Sequence, residues 1–401
     1  MVKTALRRRS VLGLGAVAAV AAGAPQALGA ALQRAAAAAP AILKPTPASW
    51  FIDYGTNAET RWDSVDPHRY RTPQARLFVR NHTRTPQIDP ASYALRVFGD
   101  GLDDPAGVLL SLADLRRFEQ VEVTSVHECT GNGRAFFGTQ QGQKASGTQW
   151  TLGAVGTVTW QGVWLRDVLE AVGLRRDAVA VQATGLDDEY VDKGVNLGHV
   201  RRPFPISKAH DDALLAWGAN GEPLLPDHGF PLRLVLPGWV GIGSIKWLGS
   251  LELSTSQLTS PWNTQWYNVD GPLTVNPVRS AWELAWDAEI PAAAEVELTG
   301  RSWSGAAPIA KVEVSADGGA TWLPARLRPR PGRGEAHGRG RRTAGHGWTQ
   351  WSWTWQAPEF GTHELRARAT DVRGRTQPDV AVSNPGGYFF DAVVRHPVRV
   401  V

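Results

Sequence analysis

The chain of 401 residues contains a single cysteine, Cys129, and a single methionine. A lone thiol makes no intrachain disulfide, so the fold has no covalent staple, and a chain of this length with 43% hydrophobic residues needs none. No Cys-x-x-Cys-His occurs, which excludes a covalently attached c-type haem. The glycines of Gly238-Trp239-Val240-Gly241-Ile242-Gly243-Ser244 lack dinucleotide-binding spacing, which excludes a Rossmann reading of that turn. The longest apolar run, Val11 to Ala22, is too short to span a membrane. Eighteen tryptophans against one methionine and one cysteine suit a chain that works outside the reducing cytoplasm.

Negative charge is absent from the first 30 residues, where Lys3, Arg7, Arg8 and Arg9 precede the apolar run and Ala27-Leu28-Gly29-Ala30 supplies a small-residue cleavage zone. That is the layout of an export signal. Arg8-Arg9-Ser10-Val11-Leu12 is similar to the twin-arginine pattern of bacterial export, which carries folded proteins. The expected location is therefore periplasmic or extracellular. Removing the signal takes the formal charge from +4 to 4 − 4 = 0, so the basic pI carries no implication of nucleic-acid binding. Ala31 to Pro47 is rich in alanine and proline and reads as a flexible tether, within a linker that runs to residue 49.

From residue 50 to 257 short strands, Gly/Pro-rich loops and a few helices mix irregularly, as in an α+β domain. Leu165, Val168, Leu169 and Val172 share one helical face, and Gly173 supplies the stop. Residues 271 to 401 carry short alternating runs, including 295–298, 309–315, 322–327, 349–355 and 363–369, as in an immunoglobulin-like β-sandwich. Asp317-Gly318 between two such runs predicts a hairpin. Trp351, Trp353 and Trp355 share a strand face and read as core or covered interface.

Cys129 sits where Val121, Val123 and Ser125 read as a strand that runs into Thr130-Gly131-Asn132-Gly133. A free cysteine is commonly a small buried hydrophobe. The polar neighbours His127 and Glu128 and the flanking glycines favour a site, with catalysis or metal coordination open to the thiolate. Cationic residues recur beside Gly/Pro turns at Arg80 with Asn81 and His82, at Arg134, at His228 and Arg233, and at Lys246. Such groups suit an oxyanion or a phosphate.

Five ordered segments resemble the sulfite oxidase family of molybdopterin enzymes. Cys129-Thr130-Gly131-Asn132-Gly133-Arg134 is similar to the family's molybdenum-ligating segment, and Phe78-Val79-Arg80-Asn81-His82 to its cofactor segment. Trp150-Thr151-Leu152-Gly153-Ala154, Asp227 to Arg233, and Pro237 to Leu248 resemble three further segments. The resemblance covers residues 50 to 257, and the sandwich is similar to the family's dimerisation domain. It implies that Cys129 ligates molybdenum, while Phe78, Val79, Arg80, Asn81, His82, Asp187, His228, Arg233, Ser244, Ile245 and Lys246 hold molybdopterin. It implies that Arg80, Arg134, Trp150 and Tyr267 line the pocket of a small oxyanion substrate. It also implies a homodimer, with electrons passed to an external acceptor such as a cytochrome c, since no haem domain fits before residue 50.

Three departures bear on the substrate. Gly133 replaces the first of the family's paired arginines, Lys311 stands where many relatives carry a pocket arginine, and Gly198 to Pro203 is basic. The leading expectation is oxidation of sulfite or a related sulfur oxyanion. The alternatives are reduction of nitrate or a sulfoxide, a zinc site at His127 and Cys129, and a secreted binding protein without catalysis. Residues 328 to 342 hold six arginines and one glutamate, which reads as a solvated loop or as a docking loop for an acidic redox partner.

Overall fold

The structure is a computed structural model that describes residues 40–329 and 346–401. The export signal and all but the first two residues of the basic loop lie outside them.

Alternating burial sets the strand that carries the site. In β1 (Gln120–Glu128) Val121 and Val123 point inward between exposed Gln120 and Glu122. The cysteine loop leads into α1 (Arg134–Thr139), and β2 (Val155–Trp164), nearly all buried, pairs antiparallel with β1 from Gln120↔Val163 to Glu128↔Val155. The predicted amphipathic segment forms α2 (Leu165–Ala171), ended by Gly173 at φ 86°. β3 (Leu214–Ala219) continues the sheet beside β2, and β4 (Arg233–Val235) pairs with β3. A second sheet runs in the order 201–205, 180–185, 248–254, 94–98, 108–111, with one parallel pair between 248–254 and 94–98. Leu165, Val168 and Leu169 of α2 fill a core shared by both sheets.

Among the described residues the second domain is a sandwich of a four-stranded and a five-stranded sheet. Its first sheet contains β5 (Arg279–Trp282), β6 (Glu295–Trp303) and β7 (Thr349–Gln356). Trp351 and Trp355 are buried in its core and Trp353 packs against them, as expected. The Asp317-Gly318 turn joins 309–315 to the short strand 323–324, with Gly318 and Gly319 at φ 69° and 95°. The run 322–327 is not one strand: 323–324 and 326–327 join different sheets. The strands 279–282, 288–290 and 396–400 carried no clear alternation and were not foreseen.

The two domains share a core. Phe136 and Phe137 of α1 pack with Leu152 against Trp303, Trp348 and Phe390. The flexible tether needs correction over its described part. The Leu43 and Lys44 amides donate to Asp227 at 2.9 and 2.7 Å, and the Lys44 side chain is buried. Asp227 is completely enclosed, and its carboxylate needs those donors.

Candidate functional site

β1 delivers Cys129 to the floor of a cavity of about 710 Å³, its open mouth included. The Cys129 amide donates to Ala154 O at 2.9 Å, Asn132 N returns to Cys129 O at 2.9 Å, and Gly133 N reaches Thr151 O at 2.6 Å. The loop is therefore fixed to the start of β2. Gly133 takes φ 83°, and a Cβ there would lie 2.6 Å from Arg279 Nη2. The space beside Gly133 is filled by the guanidinium of Arg279 from the second domain. Burial raises the Cys129 thiol above its ordinary pKa, against the opposing pull of Arg80 and Arg134.

The walls are rich in basic residues. Arg80, His82, His127, His228, Arg233 and Lys246 all line the cavity, and among the described residues Asp187 and Asp227 are the acids that face them. Arg80 donates through Nη2 to His82 Nε2 at 3.0 Å and to Tyr267 Oη at 3.3 Å. His82 Nε2 also accepts from Trp262 Nε1 at 3.1 Å, which fixes that nitrogen as an unprotonated acceptor. Burial first, and then Arg80 and Lys246, hold His82 well below the usual imidazole range. Burial, with Arg233 and Lys246, does the same to His127, and burial with Lys44 to His228.

Arg233 lies over the Trp160 ring at 4.6 Å and donates to His228 O and Ser244 O at 3.0 and 3.1 Å; burial lowers its pKa to about 9. Lys246 donates to Asp227 O at 2.8 Å and to Asn81 Oδ1. Its ammonium is pushed well down by burial and by Arg233. Charges this close and this dry repel one another, and an anion in the cavity removes the penalty.

The sequence-derived residues divide. Phe78, Asn81, Asp187, Ser244 and Ile245 line the cavity with the basic residues named above, and Tyr267 closes one side. Val79 does not line it: the residue is buried and its backbone pairs with Ala58. Trp150 is wholly enclosed, edge-on to Phe78 and Tyr54, and forms core behind the wall. Arg134 also lies behind it, because its guanidinium donates to Thr148 O at 2.7 Å and Gly386 O at 2.8 Å. Lys311 is 58% exposed, paired with Glu313 on the sandwich at 3.1 Å, away from the cavity. Among the described residues no group of three or more His, Cys, Asp and Glu could hold a metal, so His127 and Cys129 lack the further ligands of a zinc site.

Sequence reasoning missed four contributors. Lys44 places its ammonium against Gln74 O at 2.9 Å and His228 Nε2 at 3.2 Å, and burial lowers its pKa to about 7. Thr130 and Asp227 lay inside quoted motifs yet were not singled out. Tyr388 of the second domain stacks on Tyr267 at 5.1 Å, with burial raising its phenol to about 12. The Phe389 amide donates to Thr130 O at 3.1 Å, which ties this segment to the cysteine loop.

Residues 82–262 match the family model of an oxidoreductase molybdopterin binding domain, and 274–400 match that of a Mo-co oxidoreductase dimerisation domain. This chain belongs to the sulfite oxidase family of molybdopterin oxidoreductases. It is 36% identical over 280 residues to mitochondrial sulfite oxidase of Rattus norvegicus, covering 64% of this chain and 49% of that protein. Against Arabidopsis thaliana sulfite oxidase the identity is 30%, covering 64% of this chain and 70% of the relative. The chain thus spans about half the length of the animal relatives it matches. The sulfane dehydrogenase SoxCD from Paracoccus pantotrophus superimposes with a TM-score of 0.70 at 25% identity, covering 95% of this chain and 92% of that one.

The cavity fits the family's cofactor on its own chemistry. It offers one soft sulfur ligand, fixed backbone around it and a wall of donors with too few acids to neutralise them. Thr130 Oγ1 and Asp187 Oδ1 are buried on that wall without a hydrogen-bonding partner among the described residues, which leaves polar groups for a bound molecule to satisfy. Burial raises the Asp187 carboxyl to about 6.

Proposed function

We propose that this protein is an exported molybdopterin enzyme that oxidises sulfite or a related small sulfur oxyanion. The observation that carries the proposal is the convergence of Cys129 with Arg80, Arg233 and Lys246 in one buried cavity. Bound molybdopterin would supply molybdenum ligated by Cys129, whose chemistry is two-electron oxo transfer to the substrate with return of the metal by two successive one-electron transfers to the acceptor. His228, Arg233, Lys246, Asn81 and Asp187 would hold the pterin and its phosphate. Arg80 and Tyr267 would receive the substrate anion, with Arg80 oriented by His82 and its charge offsetting that of the oxyanion. The neutral His82 accepts from Arg80 without adding a second repelling charge.

Further parts of the proposal follow. The twin-arginine segment supports export after folding, and no described helix is long and apolar enough to cross a membrane. The match to a dimerisation domain supports a homodimer. An external carrier such as a cytochrome c would take the electrons.

Protein matured in a molybdenum-replete host should contain about one molybdenum per chain, by the one-cysteine stoichiometry. It should reduce ferricyanide with sulfite. Nitrate consumption from a reduced dye, without sulfite turnover, would instead support the reductase reading.

A further inference from the structure

Tyr267 occupies the left-handed backbone region at φ 53°, which a bulky aromatic residue adopts only when its surroundings impose it. Within its loop Asn268 donates to Asn263 O and accepts from Gly271 N, and one further side chain ties the two ends of the loop together. Arg202 is 1% exposed, and its guanidinium donates to Trp262 O through Nη1 and to Leu273 O through Nη2, the latter at 2.6 Å. These carbonyls stand at the two ends of the loop whose middle is Tyr267. The Tyr267 carbonyl is in turn held by Leu273 N at 2.8 Å, and the Trp262 indole donates to His82, the partner of Arg80. Among the described residues Arg202 has no carboxylate in contact, and its hydrogen bonds go to backbone carbonyls.

We propose that Arg202 is a positioning residue: it clamps the 262–273 loop so that the Tyr267 hydroxyl meets Arg80 at the oxyanion site. A planar fork can bridge two carbonyls at a fixed separation, which one ammonium or one amide does not reproduce. The inference rests on the proposed oxyanion pocket and adds a residue of the basic 198–203 stretch to its support.

The test compares Arg202→Lys, which keeps the charge but loses the fork, with Arg202→Gln, which loses both, each in wild-type and Tyr267→Phe holoenzyme. Molybdenum per chain and melting temperature are measured first. With a wild-type Tyr267, Arg202→Lys should raise the KM for sulfite about tenfold, with kcat within about threefold, the usual size for loss of a supporting partner. In the Tyr267→Phe background the same change should move KM by less than about twofold, because the hydroxyl it positions is gone. Equal effects in both backgrounds, a Lys variant indistinguishable from wild type, or loss of molybdenum in both variants would overturn the proposal. Calorimetric titration with sulfate separates failure of the substrate reading. If sulfite is not turned over, the clamp still predicts weaker sulfate binding in Arg202→Lys and no such difference on Tyr267→Phe; equal sulfate affinities would refute it.

Discussion

Arg279, in the second domain, donates through Nη1 to Glu128 Oε1 at 2.9 Å, and Glu128 is the residue before Cys129. The same nitrogen reaches Asn132 O at 2.7 Å, Asn132 Nδ2 donates to Glu128 Oε1 at 2.9 Å, and the Trp303 indole donates to Oε2 at 2.8 Å. A carboxylate that is 2% exposed is thereby satisfied from both domains, and the loop bearing the thiol is held between them. The sandwich therefore shapes the site as well as carrying the dimerisation sequence.

Arg279→Leu should leave Glu128 buried without its cationic partner. The expected loss is about 3–5 kcal/mol of stability, the usual consequence of breaking an enclosed ion pair from one side. Urea denaturation measures it, and a loss below about 1 kcal/mol, the surface-pair range, would show the pair to be dispensable.

Cys129→Ser should show no turnover while melting within about 3 °C of the parent, since serine is close in size but a poor soft-metal ligand. A steady-state assay and circular dichroism check both halves. Turnover at the parent rate would remove the thiol from the reacting site.

Arg80→Lys keeps the charge but cannot serve His82, Tyr267 and Asn81 O at once as the two Nη groups do. The KM for sulfite should rise about 10- to 100-fold. Steady-state kinetics decide, and an unchanged KM would place the anion elsewhere.

Lys44 gives a pH signature. Burial lowers its folded pKa from 10.5 to about 7, so between those values the unfolded chain binds more protons and stability rises with pH. In cofactor-free protein the wild type should gain on Lys44→Met from pH 7 to 10, by at most about 1.4 kcal/mol per pH unit. A flat difference in urea midpoints across that range would mean that the ammonium stays charged when folded.

Local signals were legible where chemistry and geometry coincide within a few residues. The turn after Cys129, the α2 face with its Gly173 stop and the Asp317-Gly318 hairpin all follow from neighbours along the chain. Motif order also located most of the cavity wall. What stayed hidden depends on distant partners: Arg279 and Glu128 are 151 residues apart, Lys44 and His228 184. Arg134, which the resemblance puts at the anion pocket, gives Nε and Nη1 to two backbone carbonyls while its charge still acts on the Cys129 thiol, and residue type alone does not tell which way the first turn of α1 faces.

The seam between Phe389 and Thr130 orders events in time. Residues around 389 brace a loop built near residue 130, so that loop is fully held only after translation has passed Phe389. Loading of the cofactor then has to wait for that contact, and a chain cut at residue 383 should remain metal-free by elemental analysis.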